Sequence, residues 1–168
     1  MPVLRSTTRE AFMTGRGEGQ PIHVVGDEVT IKISTRDTDG AFAVFEGITQ
    51  PLQGPPLHRH LTEDEWWYIL EGEFKFEVDG REISASAGAT VFAPRGSAHT
   101  FQNVGAAAGR MLTTVVPGGL DIFFAELETV APRGSVPDPA TMVPVFERHN
   151  LELLGPPLGA RSAASTSL

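Results

Sequence analysis

Short apolar segments recur along the first two thirds of the chain, and glycine or proline separates most of them. The clearest are residues 22–26, 28–34, 41–48, 65–72 and 73–80. The nearly continuous apolar and aromatic character of 65–72 predicts a strand buried on both faces. Segment 73–80 alternates and ends in Asp79-Gly80, a pair favoured by two-residue hairpin turns. About ten strands in succession, with no helix between them, exclude a parallel α/β sheet. The chain is therefore predicted to be all-β, an antiparallel sandwich or barrel.

Helical periodicity appears only after these strands. Residues 119–130 place apolar side chains near a 3.6-residue period. A second helix is predicted within 137–155, where Asp138 can cap the N-terminus, Pro139 suits the first helical position and Gly155 ends the helix.

These patterns divide the chain into four parts. They are an N-terminal extension (1–20), a β-barrel (21–117), a C-terminal helical segment (118–155) and a flexible tail (156–168).

Composition narrows the class of protein. A chain of 168 residues without cysteine fits one domain that has neither disulfides nor thiolate metal sites. Its 13 basic and 21 acidic residues give a net charge of −8, which argues against binding to nucleic acid or anionic membranes. No run of about 18 apolar residues and no signal-peptide pattern occurs, so we expect a cytoplasmic protein.

Two histidines stand one residue apart, at His58 and His60. In a strand they point to the same face, which makes half of a metal site. Glu65 opens the next strand, and His99 follows a turn rich in proline and glycine. Three neutral imidazoles and one carboxylate would hold a divalent cation with positions left for other ligands. The alternative is an exposed histidine pair on an edge strand.

The spacing of these residues resembles the first motif of the cupin superfamily, which pairs His-x-His with a glutamate and then a glycine. Here the members are His58, His60, Glu65 and Gly72. The motif's leading glycine would fall six residues before the first histidine, where the chain has Leu52; Gly54 lies nearby. Only Glu65 has the motif's spacing, so Glu63 and Asp64 are predicted to be surface acids.

The second cupin motif is matched at every position. It is formed by Gly88, Pro94, Gly96, His99 and Asn103. The two motifs span 54–72 and 88–103, and the 15 residues between Gly72 and Gly88 (73–87) resemble the short spacer of small bacterial cupins.

The resemblance implies a cupin jelly-roll β-barrel with one or two C-terminal helices. It also implies one divalent metal ion (iron, manganese, nickel, cobalt or zinc) held by His58, His60, Glu65 and His99. Cupins of this size commonly form homodimers. We assign Trp67, Ile69 and Phe101 to the substrate pocket; Trp67 and Ile69 share the strand face of Glu65, and packing in the core is the alternative.

The ligand set is similar to that of the quercetin 2,3-dioxygenases. That similarity implies a dioxygenase acting with O₂ on a flavonol-like or other enolic or aromatic small molecule, with Glu65 as the catalytic base. Two alternatives stay open. One is a metal-dependent isomerase or cyclase of polyketide-type metabolism, and the other is a non-catalytic cupin that binds a small molecule.

Overall fold

The computed structural model describes residues 10–24, 27–131 and 138–165. Parts of the predicted N-terminal extension, first strand, second helix and tail therefore lie outside the described residues. The strands are β1 (Gln20–Val24), β2 (Asp27–Ile33), β3 (Ala43–Thr49), β4 (Pro56–His60), β5 (Asp64–Glu71), β6 (Glu73–Val78), β7 (Arg81–Ser86), β8 (Thr90–Ala93), β9 (Ala98–Asn103), β10 (Gly109–Val116) and β11 (Leu151–Pro157). The helices are α1 (Leu120–Val130), α2 (Pro139–Arg148), α3 (Leu158–Ser165) and a short 3₁₀ turn at Arg36–Thr38. None of these helices is long and apolar enough to cross a bilayer.

The strands form two antiparallel sheets, which confirms the all-β prediction. One sheet has the order β1-β2-β3-β10-β5-β8, and the other has the order β11-β4-β9-β6-β7. The β6–β7 hairpin turns at Asp79 and Gly80, with φ of 47° and 76°. Both values are positive, as the tight turn predicted from this residue pair requires.

Strand β5 is buried on one face only, contrary to the prediction. Glu65, Trp67 and Ile69 point inward and are buried, whereas Tyr68 is 44% exposed on the other face. Neighbouring Phe92 on β8 is 55% exposed as well. An antiparallel sheet can leave one face in water, and here the aromatic residues of that face made the segment look fully buried.

Two hydrophobic clusters fill the space beside and between the sheets. One joins the inner faces of β2, β3 and β10 to α1 and α2, through residues such as Phe45, Phe123 and Phe146. The other lies between β5, β6 and β9, around Trp67 and Phe76. Helices α1 and α2 thus pack over one end of the sandwich.

The C-terminal segment differs from the prediction in one element. Helix α2 is capped as expected, since the Asp138 carboxylate accepts a hydrogen bond from the Ala140 amide at 2.9 Å. It ends at Arg148 rather than at Gly155, and residues 151–157 form strand β11 beside β4. An apolar run this short suits a strand as well as a helix, and β11 pairs an otherwise open edge of β4. Helix α3 occupies residues 158–165 of the predicted tail, and 166–168 lie outside the described residues.

Candidate metal centre

The four predicted ligands converge from both sheets. His58 and His60 lie on β4, His99 lies opposite His58 on the neighbouring β9, and Glu65 reaches across from β5 in the other sheet. One ligand atom from each of the four lies within 4.8 Å of all the others. His60, Glu65 and His99 are buried, whereas His58 is partly open. The cluster therefore lies between the sheets, with its open side at His58.

Backbone carbonyls orient two of the three imidazole rings. Nδ1 of His58 lies 2.8 Å from the Pro56 carbonyl oxygen, and Nδ1 of His99 lies 3.1 Å from the Ser97 carbonyl oxygen. A carbonyl only accepts, so each Nδ1 carries the proton and donates it. The Nε2 atom of each neutral ring is then unprotonated, with its lone pair available to a metal.

The arrangement around Glu65 fits a cation between the ligands. Its Oε2 lies 3.1 Å from Nε2 of His99 and 3.3 Å from Nε2 of His60. Two lone-pair acceptors repel one another at this range unless positive charge lies between them. Ligands about 2.1 Å from a common metal and at right angles are about 3.0 Å apart. In addition, neither buried ring nitrogen of His60 makes a hydrogen bond of ordinary geometry to any residue that the structure describes. The residues therefore fit a divalent metal.

Burial keeps His58 in the form that a metal needs. Desolvation lowers the pKa of the His58 imidazole well below its usual value, and the neighbouring His99 and His60 rings lower it further. The ring is consequently neutral at pH 7, and a metal does not have to displace a proton from it.

Glu63 was predicted to be a surface acid, and this was wrong. It is only 7% exposed, and its Oε2 lies 3.6 Å from Nδ1 of His60 and accepts a hydrogen bond from the Thr62 hydroxyl at 2.9 Å. Burial acts to raise the pKa of Glu63, but its contacts with His60 and Thr62 outweigh this and hold the pKa below its usual value. Glu63 is thus a charged group beside His60, a residue that could hold a metal, and such groups orient histidine ligands in many metal sites.

Asp64 lies outside the site. Its carboxylate pairs with the Arg95 guanidinium at 2.8 Å near the surface, which lowers the pKa of Asp64 to about 2. The three consecutive acids therefore lie in three different places. Glu65 belongs to the cluster, Glu63 lies beside His60, and Asp64 pairs with Arg95 near the surface.

A largely apolar cavity extends from the cluster toward helices α1 and α2. The space inside it that is wide enough for water-sized groups is about 100 Å³, and about 860 Å³ if gaps between atoms and the part open to solvent are counted. Trp67 and Phe101, two of the three residues assigned to a substrate pocket, line this cavity, and the Trp67 ring makes an edge contact with His99 at 5.4 Å between centroids. Ile69 is fully buried in the core around Phe76 and is not among the cavity-lining residues.

Two motif residues shape the backbone around the ligands. Gly54 passes so close to β9 that a Cβ there would lie 1.9 Å from the Phe101 carbonyl oxygen, which explains a glycine before the histidine strand. Asn103 is fully buried and donates to the carbonyl oxygens of Thr49 and Ala107 at 2.8 Å. It fixes the end of β9, the strand that carries His99.

Comparison with known proteins identifies the domain. Residues 46–115 match the family described as Cupin domain (Cupin_2), a range that contains all four clustered ligands. The oxalate-binding protein of Thermotoga maritima is 33% identical over 91 residues, covering 54% of this chain and 69% of that protein.

Two further relatives are enzymes of other kinds. Quercetin 2,3-dioxygenase of Bacillus subtilis is 29% identical over 119 residues, 69% of this chain, and the chain spans 34% of that enzyme's length. The polyketide synthase CurC of Streptomyces cyaneus is 26% identical over 115 residues, covering 67% of this chain and 73% of that protein.

Solved structures share the two-sheet architecture. KdgF from a Halomonas species superposes with a TM-score of 0.59 at 18% identity, over 67% of this chain and 98% of that one. The matching domain, the relative at 33% identity and the common fold together show that the chain belongs to the cupin superfamily.

Proposed function

We propose that the protein is a metal-dependent dioxygenase that acts on a flavonol-like or other enolic aromatic molecule. The observation that carries this proposal is the position of a three-histidine, one-glutamate cluster at the wall of an apolar cavity. The quercetin 2,3-dioxygenase relative supports the reaction class, over the part of that enzyme to which the chain is similar.

The cavity walls favour a flat apolar substrate over a small anion. The residues that line it are mostly aliphatic and aromatic, and no lysine or arginine is among the described lining residues. An aromatic ring can stack or make edge contacts with Trp67 and Phe101. A doubly charged anion such as oxalate would have only the metal to offset its charge. The oxalate-binding relative is therefore a poorer guide to the ligand than the dioxygenase.

Glu65 is the residue placed to move a proton. A metal held by the four ligands would supply Lewis-acid and redox chemistry toward a hydroxyl-bearing substrate and O₂. The Glu65 carboxylate is buried, faces the cavity and is an acceptor, so it can take the proton of an enol or phenol hydroxyl brought to the cluster. The resulting oxyanion makes the substrate ring richer in electrons and more reactive toward O₂.

The apolar walls contribute by excluding water. Phe45, Phe123 and Phe146 are among the apolar residues that line the cavity, so a bound substrate anion would be poorly hydrated. In a site of low polarity the attraction between that anion and the cluster is stronger than in water.

The second candidate is a metal-dependent cyclase or isomerase of polyketide-type molecules. The polyketide synthase relative favours it, because its similarity extends over 73% of its own length. The same cluster would act on an enol without consuming oxygen. Oxygen uptake distinguishes the two activities.

The test is a screen of protein loaded separately with Fe²⁺, Mn²⁺, Ni²⁺, Co²⁺ or Zn²⁺. Each form is mixed with flavonols under air and under argon while flavonol absorbance and dissolved O₂ are recorded. We expect loss of absorbance under air only, with one O₂ consumed per substrate and both atoms of ¹⁸O₂ found in the products. Turnover that continues unchanged under argon would identify a cyclase or isomerase.

A further inference from the structure

A second carboxyl group lines the cavity and takes no part in the metal cluster. Asp27 begins β2, opposite Thr49 on β3, and both residues line the cavity. Among the described residues, the Oδ1 atom of Asp27 is shut off from solvent and has no hydrogen-bond partner. The hydroxyl of Thr49 is buried beside it, close enough to lower the pKa of Asp27, but it makes no hydrogen bond of ordinary geometry to a described residue. Buried polar groups are nearly always hydrogen-bonded in folded proteins, so a carboxyl oxygen at a cavity wall whose only polar neighbour is this weakly placed hydroxyl indicates a place for a ligand.

The surroundings of Asp27 disfavour the charged form of its carboxyl group. Desolvation raises the pKa of Asp27 to about 7, and the nearby Thr49 hydroxyl lowers it by less. Near neutral pH the group is therefore present in both forms, and it can donate as well as accept a hydrogen bond. A side chain that served packing alone would be apolar at this position.

The carboxyl of Asp27 and the metal cluster lie at different levels of the sheet. Glu65 lies opposite Val115 on β10, whereas Thr49, the partner of Asp27, lies opposite Gly109 on the same strand. The two positions on β10 are six residues apart (115 − 109). Between these levels the cavity wall is formed by Phe45, Gly47, Met111 and Thr113. The cavity thus has two polar ends joined by a mostly apolar middle.

We propose that Asp27, with Thr49, binds a hydroxyl group of an aromatic ligand at the end of the cavity far from the metal cluster. Six strand residues span about 20 Å, more than the length of one flavonol, so a molecule bound here does not have to reach the metal at the same time. This inference rests on the proposed function for the class of ligand, a hydroxylated aromatic molecule, and adds a specificity-determining residue from β2, outside both cupin motifs.

The test compares two flavonols that differ at the far end. 3-Hydroxyflavone has a single hydroxyl, whereas quercetin carries further hydroxyls on both outer rings. Binding is measured by fluorescence under argon to Zn²⁺-loaded protein, so that no turnover occurs. The variants are Asp27→Val, which removes the hydrogen bond, Asp27→Asn, which keeps the shape, and Thr113→Val as a control that removes a hydroxyl from the middle of the cavity.

We expect Asp27→Val to weaken quercetin binding about tenfold and 3-hydroxyflavone binding less than twofold. Thr113→Val should not discriminate between the two flavonols. If Asp27→Val does not fold, the inference is tested with Asp27→Asn, by comparing its binding of quercetin with that of the wild type at different pH values. Between pH 6 and 8 the quercetin affinity of Asp27→Asn should change less than that of the wild type, and the difference between the two proteins is the contribution of Asp27. The hydroxyls of quercetin are the same in both measurements, as are His58, His60 and Glu65, the other acidic and histidine side chains among the described lining residues.

Equal losses for both flavonols, a pH dependence of quercetin affinity that is the same in Asp27→Asn as in the wild type, or no quercetin binding by the wild type would overturn the inference. Failure of the proposed function looks different. Quercetin would then bind in a manner that depends on Asp27, but O₂ would not be consumed.

Discussion

His58 on β4 and His99 on β9 are direct cross-strand partners, and their rings lie 4.5 Å apart between centroids. Strand pairing therefore brings together ligands that are 41 residues apart in the chain (99 − 58). Because hydrogen bonds between the strands set this position, the two imidazoles are preorganised before any metal arrives. Only Glu65, from the other sheet, depends on how the sheets pack.

Removal of the metal should lower thermal stability. A ligand at a hundred times its dissociation constant stabilises a folded protein by about 2.7 kcal/mol, which corresponds to about 5–10 °C for a domain of this size. Differential scanning calorimetry with and without EDTA measures the change. A His99→Ala variant should show no response to EDTA, and a wild-type response equally small would argue against a metal site.

Glu65→Gln should separate metal binding from catalysis. The amide is nearly isosteric and still offers an oxygen, so some metal should remain bound, but it cannot accept a proton. We expect kcat to fall by about 10²–10⁴ when normalised to metal content. Metal analysis and oxygen uptake on the same sample provide both numbers. Unchanged turnover would exclude Glu65 as the base.

Glu63→Gln should weaken metal binding although Glu63 is not in the cluster. The negative charge beside Nδ1 of His60 favours the ring form that presents Nε2 to a metal, and loss of such a group costs about 10–100-fold in affinity. Competition with a chromophoric chelator measures this change. Asp64→Asn is the matched control: it alters the next residue, whose ion pair with Arg95 lies near the surface, and should leave the affinity unchanged.

Asp27 should make stability fall as the pH rises. Its pKa is about 7 in the folded protein against 3.8 for an ordinary aspartate, so between these values the folded state holds a proton that the unfolded state has released. Asp27→Asn should therefore resemble the wild type at pH 4 and be more stable at pH 8, by on the order of 3 kcal/mol.

Urea unfolding of both proteins across this pH range measures the difference. The metal cluster is the same in both proteins, so its contribution cancels in the comparison. A constant difference between the two proteins at all pH values would show that the carboxyl of Asp27 is not desolvated.

Gly54→Ala should destabilise the fold by at least about 2 kcal/mol, because its Cβ would collide with the Phe101 carbonyl oxygen. Gly155→Ala, at the neighbouring β11, is the control, since its Cβ would meet only Leu57 at an ordinary 3.8 Å. Equal unfolding free energies for the two variants would mean that the close approach at Gly54 is not required.

Local signals were predictable from the sequence, and contacts distant in the chain were not. The Asp79-Gly80 turn and the Asp138 cap depend on adjacent residues, and both are confirmed. Strand β11 was mistaken for helix because its partner, β4, lies about 90 residues earlier. The four clustered residues could be predicted because the spacing within the two motifs matches the pairing of the strands that carry the residues.

For the carboxyl groups of Glu63 and Asp27, the sequence contains no motif spacing of this kind. Glu63 is the last residue of the turn between β4 and β5, and the direction of its side chain depends on the conformation of that turn. The order of the three acids in the sequence does not show this direction. Asp27 is opposite a threonine on a strand outside the motifs, and it lines the same cavity as residues of β10, α1 and α2, which are far from it in the chain.

Strand β11 has a consequence for biosynthesis. It is the second neighbour of β4, the strand that carries His58 and His60, and it is made about 90 residues later. Until residue 157 has emerged from the ribosome, one side of the histidine strand has no hydrogen-bonded partner. During synthesis the histidine strand is therefore paired with β9 alone, and a nascent chain stalled before residue 151 should lose a bound ion more readily than the released chain.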